Sequence, residues 1–171
     1  MLTEEQQNIF ELYKQGENVF MTGPGGVGKS KLIRDIVTHA KTADTQYAVT
    51  ALTGAAAICL DCGAKTLHSW AGIGLGAGEK DEIIERINKS KYKRKKWRQT
   101  KLLIVDEVSM LSTQMFELLN EIGQYIRKNM KPFGGIQLIF SGDFCQLPPI
   151  IKNIIEPGVF CFQSLNWQPT F

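Results

Sequence analysis

Apolar and polar residues follow two rhythms along this chain, and the places where one rhythm gives way to the other mark its elements. Thr3 and Gln6 fit the N-cap and N3 positions of a capping box, and Ile9, Phe10, Leu12 and Tyr13 share one helical face, so a helix to about residue 15 is predicted. Residues 16–18 turn into a short apolar run, 18–22, suited to a buried strand. A second helical spacing follows over 31–37 and should end near residue 40, and residues 47–51 read as another strand. Residues 53–57 turn into a short helix, and glycine at every second position from Gly72 to Gly78 predicts a mobile loop. Ile83, Ile84 and Ile87 give 81–89 a helical period, 102–105 is a continuous apolar run of buried-strand type, Ser112 caps a helix through about residue 129, and 136–140 is a further strand. Strands alternating with helices predict an α/β domain over 1–171, a parallel sheet with helices on both faces.

Composition agrees with one domain: 171 residues at 43% hydrophobic suffice for a single core and are too few for two. No apolar run approaches the roughly 18 residues that span a bilayer, and the N-terminus has neither a secretory nor a transit pattern, so a soluble, intracellular protein is expected. Cys59, Cys62, Cys145 and Cys161 are too scattered for a disulfide framework. Cys59 and Cys62 form a C-x-x-C without a second pair at zinc spacing, which predicts buried helical thiols. The net charge of +3 conceals an asymmetry: residues 89–101 hold 8 of the 20 basic residues and no acid, so the rest of the chain is acidic. That segment fits a polyanion surface or a solvated helix or loop, and Tyr92 and Trp97 fit either base stacking or packing.

The chemistry is concentrated at strand ends. Gly23, Pro24, Gly25, Gly26, Val27, Gly28, Lys29 and Ser30 match the phosphate-loop pattern G-x-x-x-x-G-K-[ST], between a predicted strand and a predicted helix. Such a loop turns backbone N–H groups toward the phosphates of a nucleoside triphosphate, adds the mobile charge of Lys29, and offers the Ser30 hydroxyl to Mg2+. The apolar run 102–105 ends in Asp106 and Glu107, a Walker B candidate in which Asp106 holds the magnesium shell and Glu107 activates water. After the strand at 136–140, Gln146 stands in a polar turn stiffened by Pro148 and Pro149. Its amide both donates and accepts, which suits sensing a γ-phosphate.

The order of these motifs resembles the superfamily-one DNA helicases and, among them, the PIF family. Residues 2–6 look like the family's Q motif, which implies that Gln6 reads the adenine edge. Residues 23–30, 50–56, 66–72 and 105–107 resemble motif I, motif Ia, a DNA-contacting segment and motif II, and Gly142, Asp143 and 146–149 resemble motif III. Residues 117–137 resemble the family's own segment between motifs II and III, with Glu117, Gly123 and Gln124 where Asp, Ala and Arg are usual.

The resemblance implies a RecA-like P-loop NTPase domain whose DNA lies near Thr53, Gly54 and His68. The parent enzyme would move 5′ to 3′ on single-stranded DNA and unwind duplex or structured DNA. A second RecA-like half carrying motifs IV to VI would complete the ATP site, so this half alone should be weakly active or inactive. An AAA-type ATPase, a small-molecule kinase and a non-catalytic DNA-binding module are the alternatives from other classes.

Overall fold

Four apolar residues in a row within a strand require cover on both faces. In the computed structural model, which describes residues 2–74, 76, 78–149 and 159–171, Leu102, Leu103, Ile104 and Val105 are all fully buried. They belong to β4 (Leu102–Asp106), the centre of a five-stranded sheet ordered β1-β5-β4-β2-β3. The other strands are β1 (Val19–Thr22), β2 (Tyr47–Ala51), β3 (Lys65–Thr66) and β5 (Gln137–Gly142). Every pairing is parallel.

Alternation along β4 divides the core into two layers. Leu102 and Ile104 join a layer built with α1 (Glu4–Lys14), α2 (Lys29–Thr42) and α3 (Gly54–Cys59). Leu103 and Val105 join the opposite layer, with α4 (Leu67–Ala71), α5 (Lys80–Lys89), α6 (Lys91–Gln99) and α7 (Thr113–Arg127). A short α8 (Trp167–Thr170) adds Trp167 to an aromatic group with Phe20, Phe116 and Phe140. Among the described residues no helix is long and apolar enough to cross a membrane.

The predicted strands and long helices are present with ends moved by a residue or two. The strand β3 carried no periodic signal, because two residues are too few for alternation to register. Gly72, Gly74, Gly76 and Gly78 all take positive φ, as a glycine loop requires; its Leu75 and Ala77 lie outside the described residues. The expectation of buried helical cysteines at the C-x-x-C is corrected. Cys59 ends α3 exposed, and Cys62 is half-buried beyond Asp61, whose φ of 50° carries the chain out of the helix.

The basic segment resolves into α6, and half of its charge is committed to the fold. Lys93 donates to Gly72 O (2.8 Å), Arg94 to Asn88 O (2.7 Å), Lys96 to Ser69 O (3.4 Å) and Arg98 to Ile126 O (3.0 Å). These acceptors lie at the C-terminal ends of α4, α5 and α7, where unpaired carbonyls and the helix dipole favour cations. Trp97 is a packing anchor, fully buried against Trp70 with its indole N–H on Ala71 O (3.0 Å). Tyr92 remains exposed, with Lys96 Nζ 5.5 Å from its ring centroid.

The segment 117–137 works as a packing unit. Helix α7 meets a turn, Pro132–Gly135, in which Phe133, Gly134 and Gly135 all have positive φ. A phenylalanine in that region is strained, and it is held there by Asn120 Oδ1, which accepts from its N–H at 2.8 Å, and by its ring against Phe116 and Phe140. Arg127 donates from Nε to Gly134 O (2.7 Å) and from Nη1 to the carbonyls of Trp97, Arg98 and Thr100 at the end of α6. Arg127 thus anchors α7 to its neighbours, while Gln124 donates to Met130 O.

Gly123 has no room for a side chain, because a Cβ there would sit 2.6 Å from the Phe133 backbone. Gly123→Ala is therefore expected to destabilise the domain by about 1–3 kcal/mol through overpacking. Urea unfolding measures this, and an unchanged midpoint contradicts the close approach.

Candidate active site

The loops that leave β1, β5 and β4 emerge side by side because those strands are neighbours. In parallel α/β sheets this carboxyl edge is where ligands sit. After β1, residues 23–28 form a loop that leads directly into α2, with Gly28 as N-cap at φ 88°. The backbone angle calls for glycine here, and a Cβ on Gly28 would lie 2.6 Å from the Gln6 amide nitrogen and displace that side chain.

Gln6 braces this loop. It closes the predicted capping box on Thr3, its Oε1 accepting from Thr3 N at 3.1 Å, and its Nε2 donates to Val27 O at 3.0 Å. One amide thus ties the start of α1 to the phosphate-loop backbone, a link between residues 21 positions apart. Lys29 folds back over the same loop, donating to the carbonyls of Gly23 and Pro24. Ser30 follows in the first turn of α2, half-buried.

Asp106 closes β4 at 6% exposure. The next residue, Glu107, takes a left-handed conformation (φ 60°, ψ 39°), a strained state for a non-glycine residue and a common one at functional sites. Burial pushes the Glu107 carboxyl above its ordinary range, Asp106 and Asp143 add to the shift, and Lys29 opposes it. The Lys29 ammonium also helps to hold the Asp143 carboxyl below its usual range, after the larger effect of the hydrogen bond from Cys145 N. Asp143 in turn accepts from Gln146 Nε2 at 3.1 Å. That amide nitrogen lies 3.9 Å from where a Gly25 side chain would begin, so Gln146 reaches the phosphate loop.

Thr53, Gly54 and His68 stand on a different sector of the same edge. Thr53 caps α3 after β2, its hydroxyl accepting from Ala56 N at 3.1 Å, and Gly54 is exposed at the first turn. His68 lies half-buried in α4 after β3. The expected nucleotide residues are thus brought together, and the expected DNA residues form a separate group beyond β4. The role of Asp143 in holding Gln146 was missed at the sequence level, although their i, i+3 spacing in a polar turn carried the signal.

A phosphate loop after β1, an acidic pair at the end of β4 and this strand order define a RecA-like P-loop NTPase fold. A PIF1-like helicase family model matches residues 1–170. The chain is 44% identical over 169 residues to the ATP-dependent DNA helicase PIF1 of Saccharomyces cerevisiae (strain YJM789), covering 98% of this chain and 19% of that protein. It is 38% identical over 167 residues to its Homo sapiens counterpart, covering 98% of this chain and 25% of that one. A crystal structure of Pif1 helicase from Candida albicans superposes with a TM-score of 0.91 at 42% identity, over 100% of this chain and 38% of that one. Bacteroides Pif1 bound to ssDNA gives 0.77 at 32% identity, over 99% and 40% of the two chains.

This chain belongs to the PIF1-like helicase family. It spans about a fifth to a quarter of the length of these curated relatives.

A carboxyl with a raised folded-state pKa keeps its proton to higher pH when folded than when unfolded. Glu107 therefore lowers stability as pH rises from the ordinary glutamate range. Glu107→Gln is expected to melt above the wild type at about pH 7, with the gap closing by about pH 4. A gap independent of pH in calorimetric scans contradicts this.

Proposed function

We propose that this chain is the ATP-binding motor half of an ATP-dependent DNA helicase that moves 5′ to 3′ on single-stranded DNA and unwinds duplex or structured DNA. The observation that carries the reading is the convergence of Lys29, Glu107, Asp143 and Gln146 at three adjacent strand ends. Membership of a family whose relatives are named ATP-dependent DNA helicases supports it. The direction of travel rests on the family resemblance. A helicase works on DNA inside a cell or virus-infected cell, and the reading is intracellular accordingly.

The donor set suits magnesium and a triphosphate: a serine hydroxyl and an aspartate carboxylate are hard oxygen ligands, and loop N–H groups with one lysine suit phosphate oxygens. When bound, MgATP supplies the γ-phosphoryl group and neutralises part of its charge. Ser30 and Asp106 would hold the metal, and residues 23–30 the phosphates. Lys29, which here donates to the Gly23 and Pro24 carbonyls, would exchange them for phosphate oxygens. Glu107 takes a proton from the attacking water, a task that its raised pKa favours. Gln146, steadied by Asp143, contacts the γ-phosphate and links its presence to the grip on DNA.

In this reading Gln6 faces the adenine while it braces the loop, and Thr53, Gly54 and His68 contact single-stranded DNA. A second RecA-like half would face the same edge and supply arginine to the γ-phosphate, a contribution of roughly 10³ to 10⁵ in rate in related sites. The half described by this chain is then weakly active or inactive by itself.

In the intact protein, Lys29→Ala should lower DNA-stimulated ATP hydrolysis by about 10² or more. Gln146→Ala should retain nucleotide affinity while losing stimulation by single-stranded DNA. A Gln146→Ala protein that keeps both affinity and stimulation removes Gln146 from the coupling role.

A further inference from the structure

Among the described residues, three buried side-chain polar atoms lack a hydrogen-bond partner: Trp70 Nε1, Ser109 Oγ and Ser141 Oγ. Ser141 lies in β5 one residue before the turn that carries Asp143 and Gln146, and it is fully buried. An unpaired hydroxyl in such a place is destabilising and calls for a reason.

The sheet register supplies one. Met21 pairs with Ser141 and Ala51 with Asp106, while β4 and β5 are in register through Val105 and Phe140. One further step places Asp106 beside Ser141. Ile104 and Ile139, two residues earlier on each strand, both face the core layer under α2, as do Met21 and Ala51. By alternation Ser141 and Asp106 face that layer too, on neighbouring strands about 4.8 Å apart. The end of β5 is also fixed against the turn after β4, since a Cβ on Gly142 would lie 2.9 Å from Val108 Cγ2 and 3.0 Å from Val108 N. The Ser141 hydroxyl is therefore held at a set position relative to Asp106.

We propose that Ser141 is a positioning residue for Asp106, its hydroxyl donating to the carboxylate when magnesium and nucleotide occupy the site. Asp106 then presents one oxygen to the metal and the other to Ser141, so the carboxylate cannot rotate away. The inference rests on the nucleotide-site reading above.

Equilibrium binding of ATP to the intact protein, with magnesium and with EDTA, tests it in wild type, Ser141→Ala, Ser141→Cys and Lys29→Ala. Ser141→Ala is expected to lose about tenfold of the affinity that magnesium adds, the size of one hydrogen bond to a charged group. Its affinity in EDTA should be unchanged, and its unliganded melting temperature unchanged or higher, because the deleted hydroxyl had no partner. Ser141→Cys, a weaker donor, should fall between. If Ser141→Ala keeps the full magnesium-dependent gain, or weakens equally with and without magnesium, the inference is overturned; a weakened Lys29→Ala then shows that the nucleotide-site reading still stands. If Lys29→Ala also binds as wild type does, that reading falls and the inference with it.

Discussion

Burial of both faces of a parallel sheet leaves the chain few places to put polar chemistry. The central strand β4 is apolar from Leu102 to Val105 and first becomes charged at Asp106, where it leaves the sheet. Because all the strands run the same way, each one delivers its polar continuation to the same edge. The strand order then groups those continuations, with the phosphate loop, the acidic pair and the Gln146 turn side by side and the Thr53 and His68 segments beyond them. One constraint thus gathers the polar segments into two separate groups on a single rim.

The side chains at this rim are held by one another. Gln6 ties α1 to the phosphate loop, Asp143 ties Gln146 into reach of it, and Lys29 is electrostatically coupled to both Glu107 and Asp143. A change in where the Lys29 charge sits is felt by the Glu107 and Asp143 carboxyls on two other loops.

Much of this was legible in the sequence because it is local. The phosphate loop, the capping box at Thr3 and Gln6, and the switch from apolar to acidic at Asp106 each occupy a few consecutive residues, and their physics is set by neighbours along the chain. What was not legible depends on partners distant in sequence. The basic segment 89–101 fitted a polyanion surface or a solvated helix or loop, and only the fold shows that four of its cations hold the C-terminal carbonyls of α4, α5 and α7. Arg127 returns the favour at the end of α6, over 27 to 30 residues. The departure Gly123 has its cause in the Phe133 backbone, and the orphaned Ser141 hydroxyl becomes visible only once strand register is known. The C-x-x-C misled because α3 stops at Cys59, which leaves Cys59 exposed and Cys62 outside the helix.

The central claim is that this chain is one half of a DNA-driven ATPase whose site is completed by another. The most direct measurement is ATP hydrolysis, with and without single-stranded DNA, by the 171-residue chain and by a version extended through a second RecA-like half. Turnover that depends on Lys29 and is stimulated by DNA only in the extended form is the predicted result. Strong turnover by the short chain, indifferent to DNA, would contradict the account.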